Sequence, residues 1–204
     1  MVSSILLALA LAVVPQAFAG QGTAQLDMYS FHAGYDLKMD GDVISGSIHG
    51  LGGMSGTVML AKKDGKWSGR LGMYQIRGSA PVQTSSDKFR VRMTVVPGGL
   101  HYFNMKMKAD EMQLNAMLSN GMSVQSHMSF KKSEMSTSNP FISMNVKKRS
   151  DGMYKGMTQI RTYYGWDTSM TDLKVSGDLM PEMLAKNDHA LYVLLYVLPF
   201  NLYK

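Results

Sequence analysis

Methionine and histidine side chains give this sequence its clearest capacity for chemistry, and they stand close together around residue 105. His101, Met105 and Met107 lie on one face if the segment is an extended strand, because alternate residues of a strand point the same way. Thioether sulfur suits Cu(I) and similar soft ions such as Ag(I), and it needs no thiolate. These three residues are therefore the candidate ligands for a metal in a chain that otherwise predicts no metal site.

The distribution of methionine nevertheless favours a structural role. The sequence has 20 methionines, and between residues 103 and 130 most of them alternate with polar residues. Such alternation is typical of a half-buried strand. Methionine is unbranched and flexible, so it fills irregular gaps in a core. We expect these methionines to pack inside the protein, with Met117 as an exception on the outer face.

No other set of residues predicts catalysis. The histidines lack H-x-x-x-H spacing, and the nucleophile motif G-x-S-x-G is absent. The stretch 50–56 is rich in glycine, but it does not fit G-x-G-x-x-G and no predicted helix follows it. The sequence therefore predicts a protein that is not an enzyme and has no cofactor.

Residues 1–19 have the organisation of a secretory signal peptide. An apolar run from Ile5 to Val14 is followed by Ala17-Phe18-Ala19, a pattern of small residues that precedes a cleavage site. The run is too short to span a bilayer, which takes about 20 residues as a helix. We expect cleavage between Ala19 and Gly20, leaving residues 20–204 as a single domain in the periplasm or outside the cell.

Charge and cysteine content narrow the possible partners. The net charge is +6, and lysines occur in pairs beside predicted turns, which is typical of a solvated surface. An exported protein of this kind is not expected to bind nucleic acid. The chain has no cysteine, so no disulfide can stabilise it.

The hydrophobic pattern predicts an all-β fold. Between Gly34 and Ser176, apolar residues alternate with polar ones between regularly spaced turn signals. We expect an antiparallel up-and-down meander of about ten strands, curled into a barrel or half-barrel. The predicted runs are 35–39, 42–48, 53–61, 66–74, 88–96, 100–108, 111–118, 122–131, 141–148, 154–162 and 168–176.

Turn sequences predict how some strands pair. Asp64-Gly65 favours a two-residue hairpin loop, and Asp40-Gly41 predicts a second one that pairs Leu37 with Ile44. At residues 119–121 a three-residue loop is favoured, because a two-residue loop would place apolar side chains opposite polar ones.

The C-terminal residues 181–199 predict a helix that covers the apolar face of the sheet. Pro181 suits a first helical turn, and Asp188 is a candidate N-cap. The apolar run from Ala190 to Leu198 is too short to span a membrane as a helix. A final buried strand is the alternative.

These observations predict an exported cell-envelope protein that binds an apolar small molecule or an envelope component. The first alternative is an outer-membrane barrel with its apolar face outward, although membrane association is not favoured. The second alternative is binding of Cu(I) or Ag(I) by methionine. The aromatic group at residues 163–166 could bind sugars, lie at a membrane interface or close one end of a barrel.

The predicted cleavage site is open to direct test. When the full chain is expressed with its leader, we expect the exported product to begin at Gly20. Intact-mass measurement gives the boundary, and a product in the envelope that keeps Met1 would contradict the export prediction.

Overall fold

The computed structural model describes residues 20–51 and 54–201, which form a closed antiparallel barrel of fourteen strands. Each strand pairs with the next along the chain, and the last strand closes on the first. The strands are β1 Gln21–Met28, β2 Ala33–Asp40, β3 Val43–Leu51, β4 Met54–Lys63, β5 Lys66–Leu71, β6 Tyr74–Ser85, β7 Lys88–Val96, β8 Gly99–Met107, β9 Glu111–Met117, β10 Ser123–Ser129, β11 Glu134–Ser138, β12 Ile142–Lys148, β13 Tyr154–Thr162 and β14 Gly165–Val175. This architecture confirms the predicted fold class.

The number of strands is larger than predicted, because β1, β6 and β11 were missed. Strand β6 contains glycine and Pro81, which weaken a strand pattern. Strand β11 is only five residues long, and three of them are serine or threonine. Short strands of this kind carry little hydrophobic alternation, although neighbours on both sides hold them in the sheet.

Two of the three predicted hairpin loops are confirmed. Asp64-Gly65 joins β4 to β5, with Lys63 opposite Lys66. Residues 119–121 form the three-residue loop that pairs Met112 with Met128, and Gly121 takes a positive φ of 81°.

The predicted loop at Asp40-Gly41 is wrong. The turn residues are Gly41 and Asp42, so Leu37 lies opposite Gly46 and Ile44 lies opposite Met39. This register differs from the predicted one by two residues. Because side chains alternate with a period of two, both registers place the apolar residues on the same face.

The inner face of the wall is mainly apolar and the outer face is mainly polar, although Met59, Val82, Met157 and Met170 are exposed on it. Met105, Met112 and Met128 are buried, whereas Met117 points outward and is 62% exposed. Four methionines lie opposite one another on neighbouring strands from β8 to β11, namely Met107, Met112, Met128 and Met135. The described residues include no helix that has both the length and the apolar character to cross a membrane.

The C-terminal segment is helical, as predicted, but it breaks into α1 (Pro181–Asn187) and α2 (His189–Tyr196). A short 3-10 turn, Leu198–Phe200, follows. Every residue of α2 is buried, and a helix that is apolar on all sides needs neighbours on all sides. Its contacts come from different parts of the wall: His189 packs on Phe89 of β7, and Tyr192 meets Ser126 of β10. Helix α2 therefore fills the barrel interior instead of covering one face.

Asp188 fixes the start of α2 to the wall. One carboxylate oxygen accepts the Leu191 backbone N–H at 2.9 Å, which confirms the predicted N-cap. The other oxygen accepts Lys62 Nζ at 2.8 Å and the indole N–H of Trp67 at 2.9 Å. Trp67 is fully buried, so few other acceptors are available to its N–H. One carboxylate thus joins the helix to strands β4 and β5.

Replacing Asp188 should loosen the helix from the wall. Asp188→Ala removes a helix cap and leaves the buried Trp67 N–H without its acceptor, so we expect unfolding free energy to fall by about 2 to 4 kcal/mol. Asp188→Asn keeps an acceptor oxygen and should cost less. Urea denaturation measures both changes. The exposed Asp167→Ala is the matched control, and an equal effect of the two alanine variants would contradict this role for Asp188.

Candidate functional site

The barrel has two different ends. Asp188 and the turns at residues 41–42, 64–65, 86–87, 108–110, 130–133 and 149–153 lie at one end, which we call the lysine end. The turns at 29–32, 72–73, 97–98, 118–122, 139–141 and 163–164 lie at the other, which we call the cavity end. Helix α2 starts at the lysine end and runs through the interior toward the cavity end.

A cavity of about 720 Å³ opens at the cavity end. Its lining is mainly apolar and comes from several separate turns and from the end of the C-terminal segment. The lining residues are Tyr74, Pro97, Gly98, His101, Leu118, Ser119, Asn120, Gly121, Met122, Ser123, Pro140, Phe141, Ile160, Arg161 and Asn201.

The inner side of the cavity is set by the end of the C-terminal segment. Asn139, in the turn between β11 and β12, donates to the Phe200 carbonyl at 3.1 Å and to Asn201 Oδ1 at 2.7 Å. The Asn139 side-chain oxygen accepts the backbone N–H groups of Phe141 and Ile142. One asparagine therefore shapes its own turn and ties the C-terminal segment to it.

The hairpin loop at residues 118–122 forms one side of the mouth. The Leu118 N–H donates to the Met122 carbonyl at 2.9 Å and closes the loop, and both residues line the cavity. Ser119 Oγ donates to the Gly98 carbonyl and so joins this loop to the turn at 97–98. The three-residue loop thus determines which side chains reach the cavity.

His101 is the polar group that distinguishes this cavity. Its Nδ1 accepts the Ser119 N–H at 3.3 Å, so the proton of the neutral ring belongs on Nε2. The side chain is only 2% exposed, and Nε2 has no hydrogen-bond partner among the described residues. A β-carbon on Gly98, another lining residue, would lie 3.6 Å from Nε2. Because a buried unpaired donor is costly, Nε2–H favours a ligand with an acceptor atom here.

The three candidate metal ligands are not brought together. His101, Met105 and Met107 share the inner side of β8, as predicted. At about 3.3 Å per residue, however, His101 and Met107 are about 20 Å apart along the strand. His101 lines the cavity, Met105 is buried and Met107 is partly buried nearer the lysine end. Within the described ranges, no three His, Asp or Glu side chains are grouped to hold a metal ion.

The cleavage residues are only partly described. Ala19 lies outside the described residues, and the Gly20 carbonyl accepts the Gly41 N–H at 2.8 Å.

Sequence reasoning missed the cavity because its lining residues are distant in the chain. Loop 119–121 was correctly predicted, but nothing local marks a turn as part of a shared mouth.

Comparisons with protein-family models, with curated proteins and with solved structures found no match. The geometry of this end of the barrel is therefore the basis for a functional proposal. A mainly apolar cavity with a few placed polar groups, here including the buried His101 donor, is the arrangement by which proteins hold small molecules.

The His101 environment predicts a pH dependence of stability. Burial lowers the pKa of His101 below its ordinary value of 6.5, so the folded protein keeps the ring neutral where the unfolded chain takes up a proton. Stability should therefore fall as pH drops below about 6.5, until the folded ring also protonates.

Denaturation at about pH 7 and about pH 5 measures this loss of stability. His101→Gln removes one titrating ring and should reduce the loss. Part of it should remain, because burial also lowers the pKa of His189. If the two proteins lose stability equally, His101 is not held neutral in the fold.

Proposed function

We propose that the protein is exported to the cell envelope and binds an apolar small molecule in the cavity without catalysing a reaction. The observation that carries the proposal is the cavity itself. Its volume of about 720 Å³ lies within the range of about 300 to 1,000 Å³ that is usual for small-molecule sites. The closed wall and the helical interior hold its lining in place, so a ligand would meet a preformed site.

The buried donor without a partner, His101 Nε2–H, narrows the class of ligand. His101 Nε2–H would pair with an oxygen or nitrogen acceptor, while Leu118, Met122 and Phe141 would cover an apolar body. We therefore propose a ligand that is mostly hydrocarbon or aromatic and carries an acceptor atom.

An outer-membrane location remains the alternative for the cellular site. That alternative needs an apolar outer face, whereas the described strands place most of their apolar side chains inward. The mainly polar outer face of the wall therefore supports the proposal that water, and not lipid, surrounds the barrel. Osmotic shock should release the mature chain from the envelope, and a need for detergent would favour the membrane alternative.

Binding of Cu(I) or Ag(I) is a second candidate, favoured by the series Met107, Met112, Met128 and Met135. Opposed residues of neighbouring strands are about 5 Å apart, so several thioethers lie close together. Met112, Met128 and Met135 are buried and Met107 is partly buried, which equally suits core packing. Titration with Cu(I) separates the two roles, because Met112→Leu should abolish binding only if the sulfur is a ligand.

Blocking the mouth of the cavity should weaken ligand binding. A suitable probe is N-phenyl-1-naphthylamine, an apolar fluorophore whose emission increases when it moves from water into an apolar site. Wild-type protein should bind it, and Met122→Trp, which puts a larger side chain at the mouth, should weaken binding by about tenfold or more, equivalent to about 1.4 kcal/mol. Fluorescence titration gives both dissociation constants.

The control is Met59→Trp, which adds the same side chain to the outer face of β4, away from the cavity lining. It should bind the probe as wild type does. A chain shortened to end at Asn201 is a second control. Asn201 lines the cavity, so this chain shows whether residues 202–204 affect probe binding. No probe binding by wild type and by this shorter chain would refute the proposal, as would equal loss in the two tryptophan variants.

A further inference from the structure

An exposed aromatic hairpin stands at the cavity end. We call residues 163–166 the aromatic finger. Tyr163 is 96% exposed and Tyr164 is 95% exposed, with their rings packed edge to face at a centroid distance of 5.3 Å. Trp166, the first aromatic residue of β14, is 50% exposed. The finger thus does not close the barrel, because both tyrosines project into solvent.

More exposed apolar side chains surround the mouth of the cavity. Met73, Val96 and Met117 each directly precede a lining residue, and Phe141 is itself in the lining. The finger begins two residues after Arg161, another lining residue. We call these four side chains and the finger the rim. Large exposed apolar surfaces usually mark an interaction site, and this one lies beside the opening of the proposed binding site.

Charge is distributed unevenly between the two ends. Every lysine in the described ranges lies at or near the lysine end, in its turns, in strand residues beside them or in α1. The cavity end has Arg70, Arg77 and Arg161 and no described lysine, and Arg161 lies directly opposite Trp166 in the β13–β14 pair. Arginine binds phosphate well, because its planar fork forms two hydrogen bonds at once.

We propose that the rim docks on a phospholipid surface, with the aromatic finger at the boundary between headgroups and acyl chains. Tryptophan and tyrosine favour this boundary, since each has an apolar ring and a polar atom. Arg161 is placed to meet lipid phosphates, and the lysine end stays in water. The described strands keep a polar outer wall, so the barrel rests on the membrane by one end and does not span it.

Docking in this orientation turns the cavity mouth toward the lipid. An apolar ligand could then pass between the membrane and the cavity without crossing water. This second step rests on the proposed ligand binding, whereas the docking itself does not. The two ideas can therefore fail separately.

The test uses the two tryptophans of the mature chain. Trp67 is fully buried inside the barrel, so Trp166 is the one that a membrane can reach. Wild-type protein should co-sediment with vesicles of phosphatidylcholine and phosphatidylglycerol, and brominated phosphatidylcholine should quench part of its emission. In Trp166→Phe this quenching should disappear.

A triple variant tests the aromatic finger as a whole. Tyr163→Ser, Tyr164→Ser and Trp166→Ser together should weaken vesicle binding by about tenfold or more, because membrane affinity scales with the apolar area buried. The matched control is Met59→Ser with Val82→Ser, which removes exposed apolar side chains away from the rim and should bind vesicles normally.

The outcomes separate docking from ligand binding. The triple variant should still bind N-phenyl-1-naphthylamine in the absence of vesicles, since its changes lie outside the cavity lining. Wild type that ignores vesicles, or a triple variant that binds them as wild type does, would overturn the docking proposal. The docking proposal would also be overturned if sedimentation without vesicles showed that the aromatic finger causes the protein to self-associate and has no other effect.

Discussion

The structure depends on filling the interior of a wide barrel. About eight strands enclose a space that their own side chains can fill, and fourteen enclose considerably more. A hollow apolar lumen would lose packing contacts throughout, so something must occupy it. Helix α2 does so, which explains why it is buried on every side instead of being amphipathic. The C-terminal segment reaches Asn201 at the cavity wall, and the cavity is the part of the lumen left open there.

The same requirement accounts for the side chains of the wall. A helix inside a barrel meets strands at varying distances, so the inner face needs side chains that adapt in length and shape. Methionine provides this adaptability, and Met105, Met112 and Met128 all lie on the inner face. Glycine has a different role, because its lack of a side chain lets two backbones approach closely. A β-carbon on Gly156 would lie 1.9 Å from the Asn145 carbonyl oxygen, so a side chain there would force β12 and β13 apart.

Much of the fold could be predicted from the sequence, because hydrophobic alternation reports which face of a strand is inside. Alternation distinguished the three-residue loop at 119–121 from a two-residue loop, since the two choices exchange faces. It could not correct the Asp40-Gly41 loop, because a shift of two residues leaves every face unchanged. Strands β1, β6 and β11 were missed where polar, glycine or proline residues weaken the pattern. The cavity could not be predicted, since its lining combines turns that only barrel closure brings together. His101 was singled out for its side chain, but as a metal ligand.

The position of α2 after the last strand has a consequence for the order of events during synthesis. The wall closes by pairing β1 with β14, so the first strand waits for almost the whole chain to emerge before it meets its second neighbour. The helix that fills the lumen emerges later still. Contacts between such distant residues form slowly, and until they form, the inner face has nothing to cover it. Neighbouring strands can pair as they emerge, but the closed wall and its filled lumen form only when β14 and α2 are both available.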